Sequence, residues 1–543
     1  MSIKKRITAV VIAVILMLNC APCAFALEPG TVYYVDSVNG NDSNSGKSEQ
    51  NAWKSIDKAS SVTYVPGDSI LFKAGGYFEG SFTAHGSGTA DSPITLGAYG
   101  DAAKLGKPAL TVKDSRTLIA LTNVGGWCVQ GLDLSAPESR AVLISASDCI
   151  VTDITVRDCD IHNVWLHRTE TANGYNSAIF IAAVGLNTRI ERLQLVDINI
   201  RDCAYGIHMG GNTIEFSPDT FVSAQESYSR DLLFENVDMY NIYYDGMAIC
   251  SVNNLRIRNC ALISTSLYTD YYTAPMWMHH ANNVTVEYCE VAGATNTMDG
   301  MTVDFDGWTT NSTYQYIYSH DNVRFMQNCV YDNTTKNANC TVRYCLSVND
   351  NLEPNNINLC NSPAYTDDDN PDYMDNFKFY NNTVINGSEF RFQNLRNSVI
   401  ANNIFCGELS QCFVTSALTG DKEVTMFTGA FTNNCFHGCS LPLRAESSYN
   451  VSPMFAGDDY DDINSFILSS SSPLIGSGIT VEGDMGAHDF FGNPLTDTHN
   501  IGCYEGEGID DGQVITYDYN AFTAIINLLG RIYAMFVSIN FWL

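Results

Sequence analysis

Positive charge is what this chain has least of. Its 543 residues hold 29 lysines and arginines against 60 aspartates and glutamates, a formal net charge of −31. No lysine at all stands between Lys113 and Lys336. A chain so acidic repels nucleic acid and anionic membrane surfaces, and it disfavours a polyanionic substrate unless a bound cation intervenes. Also missing are a glycine-rich phosphate loop, a GxSxG elbow and an HExxH helix, which removes the usual signatures of nucleotide binding, serine hydrolysis and zinc proteolysis. Charged residues make up only 16 % of the chain. Asn, Ser, Thr, Gly and Tyr are abundant instead, a composition suited to an extended all-β surface.

Long apolar stretches stand at the two ends. Lys4-Lys5-Arg6 precede an apolar run closing on Ala24-Phe25-Ala26, the charged, apolar and A-x-A parts of a signal peptide over 1–26. The expectation is a secreted or cell-surface bacterial protein. At the other end an acidic linker (506–519) leads to residues 520–543, where Arg531 is the one charge and Phe522, Ile525, Ile526, Leu529 and Ile532 follow helical spacing. This tail can dock on the folded body, lie in a membrane interface or span it. No basic residues follow it, which weakens a stop-transfer reading and favours surface or partner association.

Between these ends the chain repeats. DGMAICSVNNLRIRNC, APMWMHHANNVTVEYCEV and DGMTVDFDGWTTNSTYQYIYSHDN each hold an alternating run, an Asn-bearing turn and a second alternating run. Asn254, Asn283 and Asn311 fall 29 and 28 residues apart, a period that marks a solenoid. Stacked coils place like positions in ladders, so Met247/Met276/Met301 and Ile249/Met278/Val303 are expected core columns. Cys159, Cys203, Cys260, Cys289 and Cys345 each follow an Asn or Asp by six residues. They read as one buried ladder of mostly free thiols rather than as a disulfide framework. Arg258, Glu287, Gln315 and Arg343 share an outward slot and read as a surface charge ladder.

The opening YYVDSVNGNDSNSGKSEQNAWKSIDKASS…VPGDSILFKAGGYFEG predicts a cap of strands with one short helix (Trp53, Ile56 and Ala59 at helical spacing). Its Asn39–Asn44 loop reads as an Asx turn, with Ca²⁺ binding as the alternative. This opening resembles the N-terminal module of secreted bacterial proteins of the pectate-lyase-like superfamily. The closing VEGDMGAHDFFGNPL…NIGCYEG resembles the end of the same proteins. The resemblance spans roughly 31–505 and implies an all-β fold, a right-handed parallel β-helix, with cap and first coils over 27–110 and the helix proper over 111–505. It says little about the reaction, because the superfamily holds lyases, hydrolases, epimerases, esterases and adhesins.

The chemistry is read from residues facing outward between the core columns. These are Ala248 and Cys250, then Trp277 and His279, then Thr302, Asp304 and Asp306. Rungs lie about 4.8 Å apart, so His279 should stand beside Asp304 or Asp306; the third copy's longer turn allows the register to slip by one pair. Asp304 and Asp306, two apart on one strand, are about 6.6 Å apart by strand rise, within the range of about 6.5–9.5 Å that leaves room for water in an inverting glycosidase. They are expected to act as general acid and base in either order, with His279 tuning them. His320 and Asp321 are expected to border the same groove, Asp321 as a reserve carboxylate. Trp277 and Trp308 are candidate sugar platforms, and His208 extends the groove.

DGMTVDFDGWTTNSTYQYIYSHDN further resembles a segment of carbohydrate-active β-helix proteins. The leading expectation is therefore a secreted glycoside hydrolase acting on an extracellular polysaccharide or oligosaccharide, with no cofactor required. The alternatives are a Ca²⁺-dependent polysaccharide lyase, for which the central groove offers Arg324 and its neighbours as a base, with Lys336 or a histidine as substitutes, and a non-catalytic adhesin displayed through the tail.

Overall fold

The computed structural model describes residues 30–165, 176–185, 187–210, 227–268, 271–330, 337–353, 357–363, 374–408, 410, 412–413, 418–419, 422–423, 427–442, 445 and 447–510. The expected leader and the apolar tail lie outside these residues.

Alternating apolar residues on short strands can be buried only if each strand gains neighbours on both edges, and here the coils supply them. Among the described residues thirty-six strands form one continuous hydrogen-bonded sheet, wound so that each strand pairs with its counterpart one coil away. Among the described residues every pairing within it is parallel, for example Met247–Arg258 on Met276–Glu287 and Thr313–Gln315 on Thr341–Arg343. In the central coils the chain traces three walls. The first runs through Met247, Met276, Met301–Phe305 and Arg324–Val330. The second carries Thr313–Gln315 and Thr341–Arg343, and the third Ala261–Ile263, Glu290–Ala292, Tyr318–His320 and Leu346–Val348. One apolar column fills the interior from Val35 to Phe436.

The corners explain the Asn spacing. Asn254, Asn283 and Asn311 all hold positive φ (62°, 54° and 51°), the left-handed conformation that Asn tolerates better than other residues with a Cβ. Their amides also link coil to coil: Asn283 donates to Asn254 at 3.3 Å and Asn339 to Asn311 at 2.8 Å. The cap forms as expected, with a short helix at Ile56–Ser60 whose N-cap Ser55 accepts from the Lys58 amide. Trp53 precedes that helix and stacks on Tyr33 at 4.9 Å. In the Asn39–Asn44 loop, which comes before both, Asn41 Oδ1 accepts from the Ser43 amide and hydroxyl, an Asx turn.

Three expectations about the ladders are corrected. Met276 does stack on Met247 and Met278 on Ile249, but Met278 then pairs with Phe305 rather than Val303. The longer turn has slipped the third copy by one pair, and Met301 leaves the column. Cys159 is level with Ile198, whereas Cys203 is level with Val164 and Ile242, one corner further on. Cys203 is thus buried in a neighbouring column, because the repeat that carries it is offset against its neighbour. Fourteen cysteines, the five of the expected ladder among them, are free. Finally, Arg258, Glu287, Gln315 and Arg343 do share one slot, but it is not a solvent-facing ladder. Glu287, Gln315 and Arg343 are buried; Gln315 donates to Glu287 and Arg343 to Gln315, and Arg343 also donates to the Asp484 carbonyl of the closing segment.

Candidate active site on the first wall

On the first wall Val303 and Phe305 point into the core, which turns Asp304 and Asp306 to the other side. The slipped register sets Asp306 level with His279 and Asp304 level with Trp277; the Asp306 amide bonds to the Met278 carbonyl at 2.9 Å and the His280 amide to the Gly307 carbonyl at 2.9 Å. The two acids and the imidazole therefore meet, in the alternative register that the sequence allowed. The slot continues backward through Ala248 to His208, which stacks on Phe180 with ring centroids 5.7 Å apart.

Both acids are deeply sunk, Asp304 at 4 % and Asp306 at 8 % exposure. Asp304 Oδ1 is buried without a hydrogen-bond partner among the described residues. Burial first, and then the neighbouring carboxylates of Asp306, Asp299 and Asp245, push the Asp304 carboxyl well above its usual range, against a smaller opposing pull from Arg324. Burial and these neighbouring charges thus favour the neutral form of Asp304 over what an exposed carboxyl would show. Two further acids, not singled out from the sequence, belong to this cluster. Asp245 is buried, accepts hydrogen bonds from the Ala274 amide and the Trp277 side chain, and is raised to about 7, mainly by burial. Asp299 is only half-buried and is raised to about 6 by burial, with Arg324 opposing. The signal for both was in the repeat: each stands in a DGM triplet just before a first-wall strand. Gly300, at φ +57°, could not carry a side chain there, since its Cβ would lie 2.2 Å from the Asn296 carbonyl oxygen.

The first-wall histidines are neutral. Burial lowers His279 to about 4, and burial plus His279 lowers His280 to about 3; their Nδ1 atoms lie 2.6 Å apart in a shared hydrogen bond. His279 thus brings no positive charge to the acids at neutral pH. His208 is likewise lowered to about 4 by burial. Trp277 is partly exposed beside Asp304. Trp308 is 6 % exposed and stacks on His280 at 6.1 Å, so it packs the floor rather than offering a free face. His320 and Asp321 are not brought to the cluster. His320 lies on the third wall, where its ring contacts Glu290 at 3.0 Å and Asp321 at 2.9 Å and is raised to about 9: burial opposes the charge, but the two carboxylates outweigh it. Arg324 is tied down, donating to Gln327 and to the Thr297 and Met298 carbonyls. Among the described residues no three carboxylate, imidazole or thiol groups converge where one metal ion could sit.

No family model matches the chain. Over 91 residues, 16 % of its length, it is 44 % identical to the lacto-N-biosidase of Bifidobacterium longum subsp. longum, a match that spans only 6 % of that enzyme. Among solved structures it is similar to the GH136 lacto-N-biosidase of Eubacterium ramulus, at a TM-score of 0.50 and 16 % identity, over 78 % of this chain and 68 % of that one. Stacked parallel coils, three walls and an apolar interior agree with that likeness: the chain has a parallel β-helix fold.

Proposed function

We propose that the protein is an exported glycoside hydrolase that cleaves a neutral glycan at the first-wall acid cluster. The observation that carries this reading is the gathering of Asp245, Asp299, Asp304 and Asp306 around Trp277 and His279, with the Asp304 carboxyl pushed well above its usual range. Glycosidic cleavage needs one carboxyl to protonate the leaving oxygen and a second carboxylate to act on the anomeric carbon, directly or through water. Asp299 suits the first role: it is the accessible member of the cluster, and a value near 6 lets it both hold and give a proton. Asp306 is assigned the second. Asp304, whose neutral form burial and its acidic neighbours favour, limits the negative charge beside Asp306, and Trp277 offers a ring against which a sugar can lie. The lacto-N-biosidases that the chain resembles favour a hydrolase acting on an oligosaccharide, and the acidic walls favour an uncharged one.

The lyase alternative is less well supported, because Arg324, the cation beside these acids, is engaged on three partners. The test is product analysis with purified protein on neutral oligosaccharides, including lacto-N-biose-capped chains, and on polyuronates. New reducing ends without unsaturated, ultraviolet-absorbing products are expected, and Asp299→Asn and Asp306→Asn should each lower kcat by about 100-fold or more. Unsaturated products from a polyuronate, or full activity in both variants, would overturn the assignment.

A further inference from the structure

Six aromatic side chains are substantially exposed among the described residues: Tyr77, Trp165, Tyr243, Tyr271, Tyr272 and Tyr460. Four of them belong to one region, the corner that precedes the first-wall strands. Trp165 meets Tyr243 edge-on at 6.0 Å, and Tyr243 contacts Tyr244 at 5.1 Å and Tyr268 at 5.2 Å. Tyr244 stacks on Tyr205 at 4.7 Å, and Tyr205 reaches His208 in the site's own slot at 6.0 Å. The rings therefore form an unbroken path from the open surface to the groove.

The loop bearing Tyr271 and Tyr272 is joined to the acids by one residue. Asn296 is fully buried. Its amide donates to the Tyr268 and Tyr271 carbonyls and to the Thr273 hydroxyl, while its Oδ1 accepts the amides of Met298 and of Asp299 itself, at 2.8 and 3.1 Å. One side chain thus fixes both the ring-bearing loop and the turn that presents Asp299. A rim that only had to be soluble would not expose four aromatic rings, at 36 to 63 %. Exposed Tyr and Trp offer flat apolar faces with a polar edge, which suits the alternating C–H and O–H surfaces of a sugar.

We propose that Trp165, Tyr243, Tyr271 and Tyr272 form a glycan-binding platform that holds the sugar units beyond the one attacked at the acid cluster. The occupant is a neutral oligosaccharide, because the platform is continuous with an acid-lined groove. The proposal rests on the hydrolase reading for its position in the reaction, but its binding can be measured without cleavage.

The experiment uses the full chain and two substitution sets, Trp165→Ala with Tyr243→Ala and Tyr271→Ala with Tyr272→Ala, with Tyr77→Ala as a remote control. Two substrates are compared: a nitrophenyl lacto-N-bioside, which ends at the scissile bond, and a lacto-N-biose-capped longer oligosaccharide. Each set should raise KM for the longer substrate about tenfold, the scale of one or two lost ring contacts, with kcat and nitrophenyl hydrolysis little changed. Calorimetric binding of the longer oligosaccharide to the Asp299→Asn chain should weaken in parallel. Unaltered KM and affinity in both sets, with cleavage intact, would overturn the platform and leave the hydrolase standing. Ring-dependent binding without any cleavage would keep the platform and remove the hydrolase.

Discussion

At the level of single residues, burial does most of the chemical work. Asp299, Asp304 and Asp245 share a dielectric environment that penalises charge, yet they differ in access, and access decides which of them can reach a substrate. If Asp299 is the proton donor, kcat/KM must fall as pH rises through about 6, since the acid is lost when it ionises. A pH–rate profile checks this: the alkaline limb near 6 should be present in the unaltered protein and absent from the residual activity of Asp299→Asn. His320 supplies a second pH signature with a different readout. Its folded value, about 9, lies above the ordinary 6.5, so the stability it contributes is fully present below about pH 6.5 and is lost as pH rises through about 9. His320→Gln should therefore lower the urea midpoint at pH 6 and leave it nearly unchanged above pH 9. Rate profiles of this variant should keep the shape seen in the unaltered protein, because the third wall does not carry the acid cluster.

At the scale of the coil, the sequence was legible where geometry repeats and misleading where it slips. Asn254, Asn283 and Asn311 announced the corners because a positive φ admits few residue types, and the period followed from them. The register of the third copy was not fixed by pattern, since Met301, Val303 and Phe305 are all apolar and any of them fills a core slot. Hydrogen bonding at Asp306 and His280 decided it. Asp299 and Asp245 escaped because they sit in corners, where a DG pair reads as turn chemistry before it reads as a site. His320-Asp321 misled for the converse reason: a motif beside the site in sequence is one wall away in space. The corner conformation itself can be tested. Asn283→Val forces a β-branched residue to φ +54° and removes the bond to Asn254. It should cost about 1–3 kcal/mol, while Asn283→Gly should cost less by keeping the backbone relaxed. Guanidinium unfolding midpoints of the pair separate backbone strain from the lost amide ladder.

At the scale of the whole molecule, a solenoid is a line of neighbours, and each coil is held chiefly by the two beside it. The closing segment breaks that rule, because residues 478–505 return along the outside of coils far behind them in sequence. Lys378 donates to the Glu482 carbonyl, Tyr344 to Glu505 at 3.0 Å and Asn381 to Glu505 at 3.1 Å, and the Tyr288 hydroxyl meets His488 at 2.6 Å. Glu505 is buried and raised to about 7 by that burial. The cover explains why the Glu287–Gln315–Arg343 row is buried though it points outward, and why Tyr316, Tyr344 and Tyr380 can stand there without solvent. A chain stopped after Gly478 should therefore lose amide-exchange protection over residues 341–406 and bind more apolar dye than a control stopped after Asp510. The coils from 189 to 263, supported by their own neighbours, should keep their protection in both. Uniform loss along the whole stack would mean instead that the closing segment holds the solenoid as one cooperative unit, and that the acid cluster on the first wall depends on it as well.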